Sequence, residues 1–258
     1  MEIRLWEHDI PAFHAEAETP NSMSLFLRET DKQLPCVVVL PGGGYHFRAP
    51  HEGAPVASFF RENGMQAAVV DYRVAPNRHP APLADVQRAI RILRAHAAEW
   101  MIDPEKIIIC GFSAGGHLAG SSILLPDAYL PTDETDRFPA RPNGAILCYP
   151  VISFCAEWGH VGSGKNLLGD CYETEAERFS LEKHVTEQTP PVFLWHTSDD
   201  ASVNVKNTLY FAERLRECNV PFEAHIFPHG RHGLGMAPDA ADIGTWPSLA
   251  AAWIKRTF

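Results

Sequence analysis

Short apolar runs alternate along this chain with segments of helical period. The runs lie at residues 35–40, 65–72, 106–110, 143–149, 191–196 and 222–227. Such short, continuous apolar runs are typical of strands that are buried on both faces of a sheet. The helical patterns lie between and after these runs, at residues 53–63, 83–100, 117–125, 205–218 and 248–255. Strands that alternate with helices predict an α/β protein with a mostly parallel, doubly wound sheet.

Two stretches depart from this alternation. The first thirty residues carry only weak strand signals, at residues 3–6 and 23–28. Residues 150–190 are rich in Gly, Glu and aromatic residues, and we interpret them as an excursion over the edge of the sheet, near an active site. The chain shows neither an internal repeat nor a linker-like stretch, and no long apolar helical insert that would form a large lid. We therefore expect residues 1–258 to form a single domain.

Charge and composition narrow the function classes. The net charge of −10 argues against a nucleic-acid or anionic-membrane partner. No apolar run approaches the ~20 residues that span a bilayer. Three of the six cysteines (Cys36, Cys110 and Cys148) fall within or beside strand-like runs and are expected to be core residues. With no CxxC motif and no signal-like start, a cytoplasmic location is expected, although a secretory leader removed beforehand would give the same pattern. The oligomeric state is not indicated.

The sequence Gly111-Phe112-Ser113-Ala114-Gly115 is the strongest chemical signal. It lies between a β-branched apolar run and a segment of small and aliphatic residues, and strand, tight turn and helix is the context that a nucleophile elbow requires. Glycines on either side of the serine are expected because side chains there would clash with the neighbouring strand and helix. We therefore predict that Ser113 is a nucleophile whose hydroxyl points out at the carboxyl end of the sheet.

A serine hydroxyl needs a base within hydrogen-bond reach and a third group that orients the base. In folds with this elbow, the acid and the histidine follow the serine in that order, each in a loop after a later strand. Asp199 and Asp200 follow the run at 191–196, and His229 and His232 follow the run at 222–227. One residue of each pair could complete a Ser–His–Asp triad.

Metal and phosphate chemistry are not favoured. The two histidines could suggest a metal pair, but no HExxH motif or third ligand accompanies them. The glycines at 42–44 follow a buried run and suggest backbone that must approach something closely, yet no Gly-Lys-Ser/Thr follows, which excludes a P-loop. Neither a metal nor a cofactor is expected.

Five segments together resemble a known family over nearly the whole chain. They are Pro41–Tyr45, Asp71–Arg73, Gly111–His117, Thr197–Val203 and Phe227–Gly233. In these segments the chain is similar to α/β-hydrolase esterases of the acetyl-esterase/xylan-esterase group, the BD-FAE-like carbohydrate deacetylases. The resemblance implies the α/β-hydrolase fold and a serine esterase that acts on a small ester without a cofactor.

The resemblance also implies roles for single residues. An Asp-x-x-Val pattern selects Asp200 as the acid, and a His-Gly-x-His-Gly pattern selects His232 as the base. The oxyanion hole maps to the backbone N–H groups of Gly43, Gly44 and Ala114. Two departures leave the substrate preference open: Pro41 stands where related lipolytic esterases have His, and Asn204 stands where Pro is commoner.

The implied activity is removal of short acyl groups, chiefly acetyl, from esters that include O-acetylated sugars. Two alternatives stay open from the residues: a serine peptidase of the prolyl-oligopeptidase type, and a catalytically dead hydrolase-fold binding protein. In the excursion, Phe154, Trp158 and Tyr172 could either stack on a sugar ring or pack the excursion onto the sheet.

Overall fold

The computed structural model describes residues 1–8, 10–13 and 22–258, and eight strands of this part form one sheet in the order β1-β2-β4-β3-β5-β6-β7-β8. The strands are β1 Glu2–Arg4, β2 Ser22–Phe26, β3 Leu34–Leu40, β4 Gln66–Val70, β5 Ile102–Phe112, β6 Gly144–Cys148, β7 Val192–Thr197 and β8 Phe222–Phe227. Strands β3 to β8 run parallel, and β2 pairs antiparallel with both β1 and β4. This is the predicted α/β-hydrolase arrangement.

Helices connect the strands and cover both faces of the sheet. They are α1 Ala54–Glu62, α2 Ala81–Ala95, α3 Ala114–Leu124, α4 Val161–Leu168, α5 Tyr172–Glu175, α6 Lys206–Glu217 and α7 Trp246–Thr257. Short 3-10 helices at Pro50–Glu52, Glu134–Arg137, Gly169–Cys171, Leu181–Lys183 and Ile243–Thr245 complete the connections. The predicted strands and the five predicted helices are all present, with shifted ends.

The continuous apolar runs are explained by two separate cores. Along β3, Val37 and Val39 belong to the core that includes residues of α1 and α7. Val38 and Leu40 point the other way, into the core that includes residues of α2, α3 and α6. Because successive side chains of a strand alternate between its faces, a strand covered on both sides is apolar at every position. The predicted core cysteines Cys36, Cys110 and Cys148 are buried here and unpaired.

Helix α2 is buried around most of its circumference, which its amphipathic pattern does not indicate. Its arginines Arg88, Arg91 and Arg94 lie under the connection between α3 and β6. Arg88 donates to Asp133 and Asp136, and the other two guanidinium groups also donate to groups of this connection. The polar face of α2 can be covered by this connection because each of the three guanidinium groups donates hydrogen bonds to it.

The excursion contains more helix than its composition predicts. Residues 150–190 include α4 and α5, and the N–H of Leu181 donates to the carbonyl of Ile152, which closes the segment on itself. Gly162 and Gly164 lie inside α4, and glycine lowers helix propensity enough to hide such a helix in the sequence. The excursion contacts residues 41–45, which include two of the predicted oxyanion donors and are called the oxyanion loop for that prediction. The contact is made by Asn166, whose side chain donates to the carbonyl of Gly44. The excursion therefore lies at the carboxyl edge of the central strands.

Candidate active site

Ser113 lies at the predicted tight turn between β5 and α3. Its backbone has φ 54° and ψ −118°, a strained conformation that costs about 1–3 kcal/mol and persists only where the surroundings impose it. Here its N–H donates to the carbonyl of Cys148, and its own carbonyl accepts from the N–H groups of His117 and Val151. These bonds fix the turn, so the sequence expectation of strand, turn and helix is met.

The flanking glycines are required by contacts of the backbone. A Cβ at Gly115 would lie 2.3 Å from the carbonyl oxygen of Leu40 and 2.5 Å from that of Pro41. A Cβ at Gly111 would lie 2.1 Å from the carbonyl oxygen of Gly115. Real Cβ atoms do not approach oxygen so closely, so any side chain at either position would displace α3 from the sheet.

The structure brings Ser113, His232 and Asp200 into one hydrogen-bonded line. The Nε2 atom of His232 lies 2.7 Å from the Oγ atom of Ser113. The Nδ1 atom of the same ring lies 2.6 Å from the Oδ2 atom of Asp200. A carboxylate can only accept, so Nδ1 carries the proton and Nε2 is free to accept from the serine hydroxyl. This is the arrangement that lets an imidazole take a proton from serine.

Asp200 is held as a carboxylate by several donors. Its Oδ1 atom accepts from the N–H groups of Ser202 and Val203, at 2.8 and 2.9 Å. Burial alone would raise the pKa of Asp200, but hydrogen bonds from His196, His232 and the N–H of Val203 outweigh burial and hold that pKa well below its usual range. Asp200 is therefore ionised at neutral pH.

Asp199, the neighbouring candidate, points away from this line. It accepts from the N–H of Gly230 at 2.8 Å and lies 3.0 Å from His229 Nδ1. The side chain of His229 is 85% exposed, so this second His–Asp pair lies at the surface and not against Ser113. Of the other histidines considered, His8 and His96 are exposed, and His14 lies outside the described residues.

The oxyanion loop is built around glycines that have positive φ. Gly43 has φ 132° and Gly44 has φ 64°, and a Cβ at Gly43 would lie 2.2 Å from the carbonyl oxygen of Phe47. Within the described residues, the N–H groups of Gly43, Gly44 and Ala114 have no hydrogen-bond acceptor. Three free donors close to a serine can bind a developing oxyanion.

Two further residues hold this loop, and neither stood out in the sequence. The buried carboxylate of Glu52 accepts from the N–H of Gly42 at 2.7 Å and from the hydroxyl of Tyr149 at 2.6 Å. The same hydroxyl accepts from the N–H of Gly235, and the Tyr149 ring packs edge-on against the His232 ring at 5.0 Å. Glu52 and Tyr149 thus link the oxyanion loop to the loop of His232.

His117, at the start of α3, ties the oxyanion loop to the excursion. Its Nε2 lies 2.8 Å from the carbonyl oxygen of Phe179, and its Nδ1 lies 2.8 Å from the hydroxyl of Tyr45. Since a carbonyl can only accept, Nε2 carries the proton and Nδ1 accepts. Burial lowers the pKa of His117 to about 4, so the ring is neutral.

A pocket of about 350 Å³ opens onto Ser113 and His232. The oxyanion loop, Glu52, His160 and Ser202 also line it, with Phe47 among the lining residues. A larger cavity of about 450 Å³ lies elsewhere, against His79, Phe179 and neighbouring residues. It contains none of the predicted site residues. The smaller pocket contains Ser113, His232, Gly43 and Gly44 together, and it is therefore the candidate active site.

The aromatic residues of the excursion pack rather than line this pocket. Phe154 stacks on His117 with ring centroids 4.2 Å apart, and Tyr172 is buried and donates to the carbonyl of Phe154. Trp158 stacks on Tyr210 at 5.0 Å. These contacts indicate that the three aromatic residues pack the excursion, and they do not indicate stacking on a sugar ring.

Neither a metal centre nor a membrane helix is present in the part of the chain that the structure describes. There, no three His, Cys, Asp or Glu residues come together in a way that could hold a metal ion. No helix of residues 1–8, 10–13 or 22–258 is both long and apolar enough to cross a membrane.

Residues 23–215 match the sequence model of the BD-FAE family. The endo-1,4-beta-xylanase B of Butyrivibrio fibrisolvens is 37% identical over 241 residues, which are 91% of this chain and 38% of that protein. The acetylxylan esterase of Xylanibacter ruminicola is 31% identical over 252 residues, which are 91% of this chain and 49% of that protein. The chain thus spans less than half of either relative.

A solved structure of similar length agrees with these relatives. The acetyl ester-xyloside bifunctional hydrolase of Caldicellulosiruptor lactoaceticus is 45% identical and superposes with a TM-score of 0.94, over 99% of this chain and 96% of that one. The family resemblance inferred from the five segments is confirmed. This chain belongs to the BD-FAE family and has the α/β-hydrolase fold.

Proposed function

We propose that this chain is a serine esterase that removes short acyl groups, chiefly acetyl, from O-acetylated sugars such as xylo-oligosaccharides. The observation that carries the proposal is the line of two short hydrogen bonds from Ser113 through His232 to Asp200. The relatives named as an acetylxylan esterase and an acetyl ester-xyloside hydrolase support the substrate class. The proposal treats residues 1–258 as one domain, which the single continuous sheet supports.

The proposed mechanism follows from the geometry. Ser113 attacks the ester carbonyl while Nε2 of His232 takes its proton, and Asp200 stabilises the imidazolium that forms. The N–H groups of Gly43, Gly44 and Ala114 bind the oxyanion, and loss of one such donor typically costs about 3–4 kcal/mol of transition-state stabilisation. His232 then protonates the leaving alcohol, and water hydrolyses the acyl-enzyme by the reverse sequence. In this scheme His232 accepts or donates the proton in each step.

The two alternatives are less well supported. A catalytically dead hydrolase would be expected to have lost a triad member, whereas Ser113, His232 and Asp200 are within hydrogen-bond distance here. The peptidase alternative finds no support among the relatives quoted above, which are named as a xylanase, an acetylxylan esterase and an acetyl ester-xyloside hydrolase. The cytoplasmic location remains a prediction from the cysteines.

The preference for a short acyl group is supported by the relatives that are named for acetyl esters. The α-helices of the excursion, all of whose residues the structure describes, are only the short α4 and α5, so it offers no broad apolar cover for a long acyl chain. Each methylene that an apolar pocket accommodates contributes about 1 kcal/mol, so a longer chain gains little where no such cover exists.

A series of esters tests the proposed function. We expect kcat/KM to fall steadily from p-nitrophenyl acetate through butyrate and octanoate to palmitate, and acetate to be released from an acetylated xylo-oligosaccharide. Ser113→Ala provides the blank for each substrate. If octanoate or palmitate is the better substrate, the short-acyl proposal is wrong. If the sugar releases no acetate while p-nitrophenyl acetate is cleaved, the chain is a general carboxylesterase.

A further inference from the structure

The imidazole of His160 lines the candidate active-site pocket but takes no part in the mechanism above. It occupies the N-cap position of α4, at the start of the excursion, and its Nδ1 atom lies 3.2 Å from the backbone N–H of Ser163. The hydroxyl of Ser163 lies 2.8 Å from the same nitrogen. A histidine at this position did not stand out in the sequence, because the helix that it caps was not predicted.

The cap fixes the tautomer of the ring. A backbone N–H can only donate, so Nδ1 of His160 must accept, and the neutral imidazole carries its proton on Nε2. Within the described residues, the Nε2 atom has no hydrogen-bond partner. His160 therefore offers a single N–H group whose direction is set by a helix cap, in a pocket that also contains the nucleophile.

The charge state of His160 agrees with this assignment. Burial lowers the pKa of His160, the nearby His232 lowers it further, and Asp200 raises it. His160 and His232 line the same pocket. In the proposed mechanism His232 protonates the departing alcohol, so the alcohol part of the substrate must lie next to His232, in the pocket that His160 also lines.

We propose that the Nε2–H group of His160 donates a hydrogen bond to a free hydroxyl of the substrate alcohol and thereby selects polyhydroxy alcohols over apolar ones. This inference rests on the proposed esterase function and assigns a specificity role to a residue outside the triad. A bound substrate that covers this donor without supplying an acceptor would leave it unpaired, which is costly, so a substrate with no hydroxyl at this place is disfavoured. The oxygen that accepts from His160 is distinct from the ester oxygen, which must receive its proton from His232.

The test compares two secondary acetates of similar ring size in the full chain. One is a mono-O-acetylated methyl xyloside, which has free hydroxyls, and the other is cyclohexyl acetate, which has none. The variant is His160→Ser, because serine is a good N-cap and retains the start of α4, but its hydroxyl is too short to replace the imidazole in the pocket. We expect kcat/KM for the xyloside to fall about tenfold, the effect of one neutral hydrogen bond, and that for cyclohexyl acetate to change by less than about twofold.

The matched control is Ser163→Ala, which removes only the hydroxyl at Nδ1 and leaves the backbone N–H that fixes the tautomer. It should retain the xyloside-to-cyclohexyl ratio of the original chain. Thermal unfolding shows whether each variant is folded. An equal loss on both esters in a folded His160→Ser, or an unchanged ratio, would overturn the inference. If the unaltered chain cleaves neither ester, it is instead the esterase proposal that fails.

Discussion

Replacing Asp200 by Asn should disable the proposed triad by changing one proton position. The N–H groups of Ser202 and Val203 point at one carboxylate oxygen of Asp200, so the amide oxygen of an asparagine would take that place. Its NH₂ group would then face Nδ1 of His232, where the carboxylate now accepts at 2.6 Å. An NH₂ group can only donate, so Nδ1 would have to accept, and the imidazole proton would move to Nε2 and block proton transfer from Ser113.

The size of the expected effect follows from this exchange of tautomers. In a serine hydrolase with an intact geometry, the same Asp→Asn change lowers kcat by about 10⁴-fold, which corresponds to about 5 kcal/mol in the activation barrier. The new NH₂ group would also face Nε2 of His196, which lies 3.3 Å from the carboxylate. Because Nε2 of His196 also donates to the carbonyl of Val203 at 2.9 Å, two donors would meet, and we expect a loss of about 1–3 kcal/mol in the free energy of unfolding.

The chain provides a matched control one residue away. Asp199→Asn makes the same chemical change in a second His–Asp pair, but the side chain of His229 is 85% exposed and Ser113 is hydrogen-bonded to His232 instead. Exposed ion pairs contribute about 1 kcal/mol at most, so we expect kcat to stay within about fivefold. The assay is kcat and kcat/KM on p-nitrophenyl acetate at pH 8, with urea unfolding of each variant. The reasoning fails if Asp199→Asn is as damaging as Asp200→Asn, or if a folded Asp200→Asn retains more than a few per cent of kcat.

Three further changes test residues that position the triad and the oxyanion loop. Glu52→Gln replaces one of the two accepting oxygens by an NH₂ group, which would face either the N–H of Gly42 or the hydroxyl of Tyr149. We expect the free energy of unfolding to fall by about 1–3 kcal/mol and kcat to fall as well. Unchanged urea unfolding would contradict the linking role of Glu52. Gly115→Ala should abolish activity because the new methyl would lie 2.3 Å from a carbonyl oxygen, whereas Gly162→Ala, with its nearest contact at 3.6 Å, should leave both activity and folding intact. Burial lowers the pKa of His117 from 6.5 to about 4. Between these two pH values the unfolded state therefore binds more protons than the folded state. The free energy of unfolding should fall by about 3 kcal/mol as the pH drops from 6.5 to 4. The same pH series on His117→Gln should give a shallower fall, and an equally steep one would show that other groups cause it.

The sheet could be predicted from the sequence because its burial is nearly complete. A strand such as Leu34–Leu40 faces a core on each side and therefore shows an unbroken apolar run. Helix α4 could not be predicted, because Gly162 and Gly164 lower its local propensity and its packing on the oxyanion loop supplies what propensity does not. The local hydrophobic pattern therefore predicts an element that has the same surroundings along its whole length. It does not predict an element that is stabilised mainly by contacts with distant segments.

The same distinction applies to the site. Ser113 could be predicted because its turn needs a local pattern of glycines. The choice of Asp200 over Asp199 came from the family resemblance, since both residues follow the same strand and differ only in which way the turn points them. Glu52 could not be found at all, because its partner Tyr149 lies 97 residues along the chain. A residue whose role is a single long-range hydrogen bond leaves no periodic signal.

The measurement that tests the central claim most directly is labelling of the chain by a fluorophosphonate, followed by intact-mass and peptide-mass analysis. A phosphonate reacts with a serine that a neighbouring base activates, and its tetrahedral oxygen requires the oxyanion donors. The account predicts one label per chain, on Ser113, no label on Ser113→Ala, and labelling slowed by several decades in a folded His232→Ala. A label on another serine, or an unlabelled but folded original chain, would contradict it.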